Sequence, residues 1–331
     1  MKRKKIFIML ISALIIMSSS MLTACKIAAN SASPSYEEEM VNLIADLDSY
    51  AKKNNPDFGL ITNGGTNLYS ESEYNSKENG QKLINHVVGA LAESIFYGWD
   101  MTDNKKTPES ETRDFIHNLN AVQEQGKIVL SLEYASNAKS TQAAYDKADK
   151  LGYIISVSPS RELDKIPLNI HNENSAAIND IKEIKNYLVL LNPDRYENKA
   201  DYLQALAKAD YDLIIIDAYF ADKMLTADDV QRLKKKNNGK RRLVYAYLSI
   251  GEAESYRPYW QPQWEKNPPH WLAKENGDWQ GNYKVKYWDK AWQKILYGTK
   301  DSELDKILAV GFDGAFLDVV DAYEYFRDGG Q

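Results

Sequence analysis

The chain has 331 residues, 44% hydrophobic and 27% charged, a globular composition that fits neither disorder nor collagen nor coiled coil. Its formal net charge is −6, from 41 Lys+Arg against 47 Asp+Glu. With no basic stripe to offset that charge, a nucleic acid is a poor match as partner. The single cysteine, Cys25, allows neither an intrachain disulfide nor a cysteine metal site, and the four scattered histidines lack paired ligand spacing, so no metal or cofactor is expected.

In chain order, Lys2-Arg3-Lys4-Lys5 is a positive n-region, followed by an apolar run at 6–17. That run is shorter than the roughly 20 residues a membrane span needs. Small residues then lead to Leu22-Thr23-Ala24-Cys25, and the whole reads as a secretory signal. Its ending resembles a bacterial lipobox, in which the cysteine becomes the lipid-modified first residue; a plain signal with a chance cysteine is the alternative. The expectation is a signal peptide at 1–24, lipidation at Cys25 and a polar tether at 25–35. The chain would then be anchored on the extracellular face of a bacterial membrane, or secreted. Cleavage after Ala24 removes four positive charges and leaves about −10.

Residues 36–331 read as one domain. Short apolar runs lie at 58–62, 95–99, 128–132, 153–157, 187–191, 213–216, 243–248, 285–288 and 315–317. Several are continuous in Ile, Val and Tyr, as strands buried on both faces are. Between them lie helix-like segments. One starts at the capping-box-like Thr226-Ala-Asp-Asp and stops at Asn238-Gly239, and others lie at 110–125 and 200–209. Alternating β and α predicts a parallel α/β fold. Eight of the nine runs would close a (β/α)8 TIM-type barrel, the ninth being extra; a doubly wound open sheet is the alternative. Nucleotide-binding and serine-hydrolase motifs are absent from the sequence.

Acids recur where the runs end: Asp100, Glu133, Asp217, Glu252 with Glu254, Asp289, and Asp318 with Asp321; two other runs end in Asn63 and Asn192. In a parallel barrel the C-terminal strand ends meet at one mouth, where catalytic groups sit. Crowded carboxylates titrate apart, which supplies the proton donor and the base or nucleophile of glycoside cleavage. Each acid could equally cap a helix or close a turn. Asp100 and Glu254 lean that way, and Arg257 could pair with one of these carboxylates. Aromatic neighbours (Tyr219, Tyr247, Trp288, Tyr323) suit a carbohydrate cleft. Six tryptophans between 260 and 292 mark a long segment after a strand, either a substrate lid or a small satellite core.

Tyr247-Leu-Ser-Ile-Gly-Glu-Ala-Glu-Ser-Tyr-Arg-Pro-Tyr-Trp260, Gly281-Asn-Tyr-Lys-Val-Lys-Tyr-Trp-Asp289 and Gly311-Phe-Asp-Gly-Ala-Phe-Leu-Asp-Val-Val-Asp-Ala-Tyr323 together resemble glycoside hydrolase family 114, the endo-α-1,4-polygalactosaminidase-like (β/α)8 barrels. The resemblance implies a secreted hydrolase of a galactosamine-containing polysaccharide. Characterised polygalactosaminidases share a Glu-Pro-Asp where this chain has Phe316-Leu317-Asp318, so the chain resembles the uncharacterised branch. In the family, the motif ending at Tyr323-Glu-Tyr-Phe326 is followed by a helix, a Pro-Asp-Phe strand with an Asn, and an Asn-Leu-Tyr segment. Here the stretch at 37–53, Pro56-Asp-Phe-Gly-Leu-Ile-Thr-Asn63 and Asn67-Leu-Tyr69 resemble that portion moved to the front, which implies a circular permutation with Tyr36 close to Phe326.

The expected function is a monomeric, lipid-anchored glycosidase, endo-acting on an amino-sugar polysaccharide. Its catalytic pair is drawn from Asp217, Glu252 and Asp318, with Asp289, Tyr219, Tyr247, Trp288, Glu133 and Asn63 placing the sugar. The alternatives are a non-catalytic polysaccharide-binding surface lipoprotein on a degenerate barrel, and a Ca²⁺ site built from the acids.

Overall fold

The structure, a computed structural model, describes residues 34–330. The expected signal segment, Cys25 and nearly all of the tether lie outside the described residues. Ser35 opens α1 (Tyr36–Asn54) with a capping box: its hydroxyl accepts from the Glu38 N–H while the Glu38 carboxylate accepts from the Ser35 N–H. The chain then runs β1 (Gly59–Asn63), α2 (Lys77–His86), β2 (Gly89–Glu93), α3 (Glu109–Glu124), β3 (Ile128–Tyr134), α4 (Ala138–Leu151), β4 (Ile154–Ser158), β5 (Tyr187–Leu190), α5 (Lys199–Lys208) and β6 (Leu213–Ile216). A small antiparallel hairpin, β7 (Tyr219–Phe220) with β8 (Lys223–Met224), precedes α6 (Ala227–Leu233) and β9 (Leu243–Ser249). Next comes an inserted antiparallel sheet of β10 (Glu252–Glu254), β11 (Leu272–Glu275) and β12 (Asn282–Val285), ordered β10-β12-β11. The chain continues through α7 (Lys290–Leu296), α8 (Glu303–Val310), β13 (Gly314–Asp318) and α9 (Ala322–Arg327).

Eight strands form one parallel sheet in the order β4-β3-β2-β1-β13-β9-β6-β5. Its edges, β4 and β5, approach within 8 Å Cα to Cα without pairing, so the sheet is a nearly closed barrel. This is the expected TIM-type (β/α)8 fold rather than an open doubly wound sheet. Alternate residues divide the apolar side chains into two layers. Leu130, Leu132 and Tyr134 of β3 point into the barrel with Ile61, Leu91, Val189, Ile215, Tyr245 and Phe316. Val129 and its outward counterparts pack under the helices. The inner layer is filled, so only the rim is open to chemistry.

Seven of the nine apolar runs lie in barrel strands, and two do not. The run at 95–99 is a buried loop, and 285–288 only begins at the end of β12. The missing eighth strand is β2, Gly-Ala-Leu-Ala-Glu, whose small residues carry little strand propensity. Smallness is required there: a Cβ on Gly89 would stand 2.4 Å from the Ile128 side chain. The expected helix after Thr226 also stops early, at Leu233, because Arg242 takes over its end: the guanidinium donates to the carbonyls of Leu233, Ala209 and Leu206.

Among the described residues no α-helix covers the seam between β4 and β5. Residues 159–186 run there instead and insert Ile178, Ile181 and Ile184 into the inner core at the N-terminal end of the barrel. A fully buried Lys236–Asp212 pair pins this plug. Lys236 also donates to the carbonyls of Asn174 and Ala176, and Asp212 accepts from the Lys185 N–H. Every polar group in that knot is engaged, which a buried ion pair needs to be tolerable. At the other end of the molecule the rings of Tyr36 and Phe326 stand 5.9 Å apart, although any closed barrel brings its first and last elements together. Among the described residues no helix is long and apolar enough to cross a membrane.

Candidate active site

Period two decides which strand-end residues reach the mouth. Asn63 on β1, Glu93 on β2, Tyr134 on β3, Tyr247 on β9 and Asp318 on β13 share the inward parity of the inner-core residues, and Asp217 follows β6 in the same phase. Asp318 stands level with Ser249 on β9, and Asp217 follows the Ile216–Ala246 pairing. One strand, β9, therefore separates the two acids. With strands about 4.8 Å apart, their backbones lie roughly 10 Å from each other.

These side chains form a continuous polar chain around the rim. Arg257 donates from one nitrogen to both oxygens of Asp217 at 2.8 and 2.9 Å and from Nε to Glu254. Glu254 also accepts from Tyr256 at 2.7 Å and from Tyr247 at 3.2 Å. Tyr247 faces Asp318 as well. Asn63 donates through its amide nitrogen to Asp318 Oδ1 and to Glu93 Oε1, each at 2.8 Å, and Tyr134 donates to the other oxygen of Glu93.

The two arms of this chain differ in charge. On one arm a cation sits between two acids. Burial works against the Arg257 guanidinium, but Glu254 and Asp217 together hold it well above its ordinary value. Burial likewise pushes the Asp217 carboxyl up, with Arg257 pulling against it. On the other arm no Lys or Arg among the described residues pairs with Asp318 or Glu93. Burial, reinforced by the Glu93 charge, raises Asp318 to about 7, against hydrogen bonds from Asn63, the Val319 N–H and Tyr247. The mouth thus holds an ion-paired carboxylate and a carboxyl poised near neutrality, the division that acid–base catalysis uses.

The other expected site residues stand outside this row of inward strand-end side chains. Glu252 is buried in the inserted sheet, where it pairs with Lys284 at 2.6 Å and accepts from Asn276 and Asn282. Glu133 has outward parity on β3 and accepts from the Phe96 and Tyr97 backbone N–H groups and from Ser131. Asp289 caps α7 through the Ala291 N–H and pairs with His270. Trp288 packs on Tyr36 of α1 and Phe326 of α9. Tyr219 lies beside the mouth, its hydroxyl donating to Glu303 and its ring 5.4 Å from the Arg257 guanidinium. Asp100 is exposed and pairs with Lys105. The geometry adds Glu93 and Tyr134: the signal for Glu93 lies in the apolar run at 87–92 that precedes it, and Tyr134 follows Glu133 on a strand whose sequence does not show which of the two points inward.

Most of the tryptophan-rich segment packs onto the outer core of the barrel, and Trp279 is exposed. Trp260, Trp264, Trp271 and Trp292 follow one another at ring distances of 5.1–5.2 Å, except that Trp260 reaches Trp292 only through the other two. Trp292 donates to the Ile250 carbonyl. Among the described residues no group of three or more His, Cys, Asp or Glu is arranged to hold a metal ion.

Residues 191–331 match the family model of glycoside-hydrolase family GH114. The match takes in Asp217, Tyr247, Glu252, Glu254, Arg257 and Asp318, but not Asn63, Glu93 or Tyr134. Among similar curated proteins, an uncharacterized protein of Methanocaldococcus jannaschii is 39% identical over 172 residues, covering 51% of this chain and 46% of its own length. An uncharacterized protein of Deinococcus radiodurans is 40% identical over 122 residues, 37% of each chain. One of Thermotoga maritima is 45% identical over 85 residues, 26% of this chain and 25% of its own. The chain spans less than half the length of these relatives.

Proposed function

We propose that the chain is an endo-acting glycoside hydrolase of an amino-sugar polysaccharide, galactosamine-containing, held by a lipid on Cys25 at the extracellular face of a bacterial membrane. The observation that carries the catalytic reading is the asymmetry of the mouth. Asp318, without a cation and raised to about 7, is the proton donor to the glycosidic oxygen. Asp217, whose two bonds from Arg257 oppose the upward push of burial, faces the sugar as nucleophile or base. Tyr247, between them, stays a neutral hydroxyl because burial and its acidic neighbours raise it well above its ordinary value. Glu252, already engaged by Lys284 and two amides, orders the inserted sheet rather than reacting. An acidic rim suits a cationic, partly deacetylated polymer. A circular permutation accords with the contact between Tyr36 and Phe326.

One observation favours a second reading, a polysaccharide-binding module without turnover: Phe316 fills the position of the family's glutamate and is buried in the inner core. Incubation of the purified protein with partly deacetylated galactosamine polymer separates the two. Release of reducing ends, abolished in Asp318→Asn and Asp217→Asn variants that keep the wild-type circular dichroism spectrum, supports the hydrolase. Binding without release supports the module, and full activity in either variant overturns the assignment.

A further inference from the structure

The arm of the rim opposite Arg257 contains a carboxylate that neither the family match nor the acid–base pair uses. Strand order places β1 between β13 and β2, so Asn63 stands between Asp318 and Glu93. The registers agree: Thr62 pairs with Leu317 and Asn63 with Leu91, which sets Asn63 level with Asp318 and two residues short of Glu93. The glutamate's longer side chain spans that offset. Both amide hydrogens of Asn63 are spent, one on each carboxyl, with the two acceptor oxygens 2.8 Å from the same nitrogen. Glu93 is held from its far side by the hydroxyl of Tyr134, and Tyr134 is itself held by the Arg161 guanidinium, 4.1 Å from its ring centre.

We infer that Glu93 is a positioning residue for Asp318: through the shared Asn63 amide it fixes the Asp318 carboxyl in place, and its negative charge keeps the proton on Asp318 until a glycosidic oxygen takes it. The inference rests on the reading of Asp318 as proton donor.

The physical argument is that two carboxyls bridged by one amide cannot both ionise cheaply, so one proton stays on the pair. Donors do not decide which member keeps it, since Asp318 receives three and Glu93 two; the burial of Asp318 and the cation on the Glu93 side do. Glu93 receives a tyrosine hydroxyl and the amide, and its nearest cation, Arg161, lies beyond that tyrosine. Asp318 receives the amide, the Val319 N–H and Tyr247. The groups that face Asp318 from elsewhere do not supply a free positive charge. Arg257 is committed to Asp217 and Glu254. Lys284 is committed to Glu252, with Asp321 close to both. The proton therefore rests on Asp318, and substitution of Glu93 removes the charge that holds it there.

The test is Glu93→Gln, which keeps shape and removes charge. Two readouts separate this inference from the parent one. In the substrate-free protein, the carboxyl titration of Asp318, isolated by difference infrared spectroscopy against Asp318→Asn, shifts about one pH unit or more downward in Glu93→Gln. In turnover of the galactosamine polymer, the alkaline limb of kcat/KM moves down by the same amount. Glu93→Ala removes the same charge and serves if Glu93→Gln fails to fold, whereas Tyr134→Phe, which leaves the charge, moves neither titration downward. A purely structural Glu93 predicts a lowered Tm with both titrations unmoved, and that result overturns the inference. If Asp318→Asn retains activity while the infrared shift is present, the donor assignment fails and the coupling stands.

Discussion

Glu133 and Asp318 are chemically alike and functionally opposite. Each ends a barrel strand, and burial raises each carboxyl to about 7. Glu133 lies on the outward face of β3, closed in by the Phe96 and Tyr97 N–H groups and the Ser131 hydroxyl, where a substrate has no access. Asp318 lies on the inward face of β13, at the open end of the barrel, within reach of Tyr247 and Asn63. A perturbed carboxyl is therefore no sufficient mark of an active site; the side of the strand on which it falls decides whether the perturbation serves anchoring or chemistry.

The comparison breaks most readily at the mouth. Asp318→Asn should lower turnover of the galactosamine polymer by about 10²–10⁴-fold, the usual worth of a general acid, while Glu133→Gln leaves kcat within a few-fold once folded protein is compared. Equal losses in the two variants would dissolve the distinction.

The stability effects should be ranked the other way. Asp212→Asn, which leaves Lys236 buried without its anion at the closed end of the barrel, should cost about 3–5 kcal/mol in urea unfolding. Trp292→Ala should cost a comparable amount, about 3–5 kcal/mol, by leaving a cavity in the outer core of the barrel. Glu133→Gln keeps an acceptor for the Phe96 and Tyr97 N–H groups but puts a donor where the Ser131 hydroxyl now donates, and should cost about 1–3 kcal/mol. Asp318→Asn should cost less than any of these at neutral pH.

The smallest effect is the one that sharpens the comparison by sign. An aspartate raised in the folded chain to about 7 contributes stability that is complete below its unfolded value and lost as pH rises through 7. Asparagine carries no such loss. The Tm difference between Asp318→Asn and wild type should thus grow more positive, by a few degrees, from pH 5 to pH 8. A difference that is flat across that range would mean that Asp318 is not protonated in the folded chain.

Much of this molecule is legible in one dimension. Runs rich in Ile, Val and Tyr mark seven of the eight barrel strands because β-branched and aromatic side chains fit a sheet covered on both faces. The end of each run marks where an acid or amide can reach the rim, as Asn63, Asp217 and Asp318 do. What the order of residues alone could not settle is which way each end points. Val129 and Leu130 are equally apolar, so a strand buried on both faces carries no polar alternation to separate Glu133 outside from Tyr134 inside. β2 is hidden for a different reason: its glycine and alanines carry little strand propensity, and Gly89 must be small because Ile128 leaves no room for a side chain there. The pairing of Asn63 with residues 30 and 255 positions away, and of Arg257 with Asp217, depends on the closure of the barrel, because hydrogen bonds at the mouth form between strands that are neighbours in space and strangers in the chain.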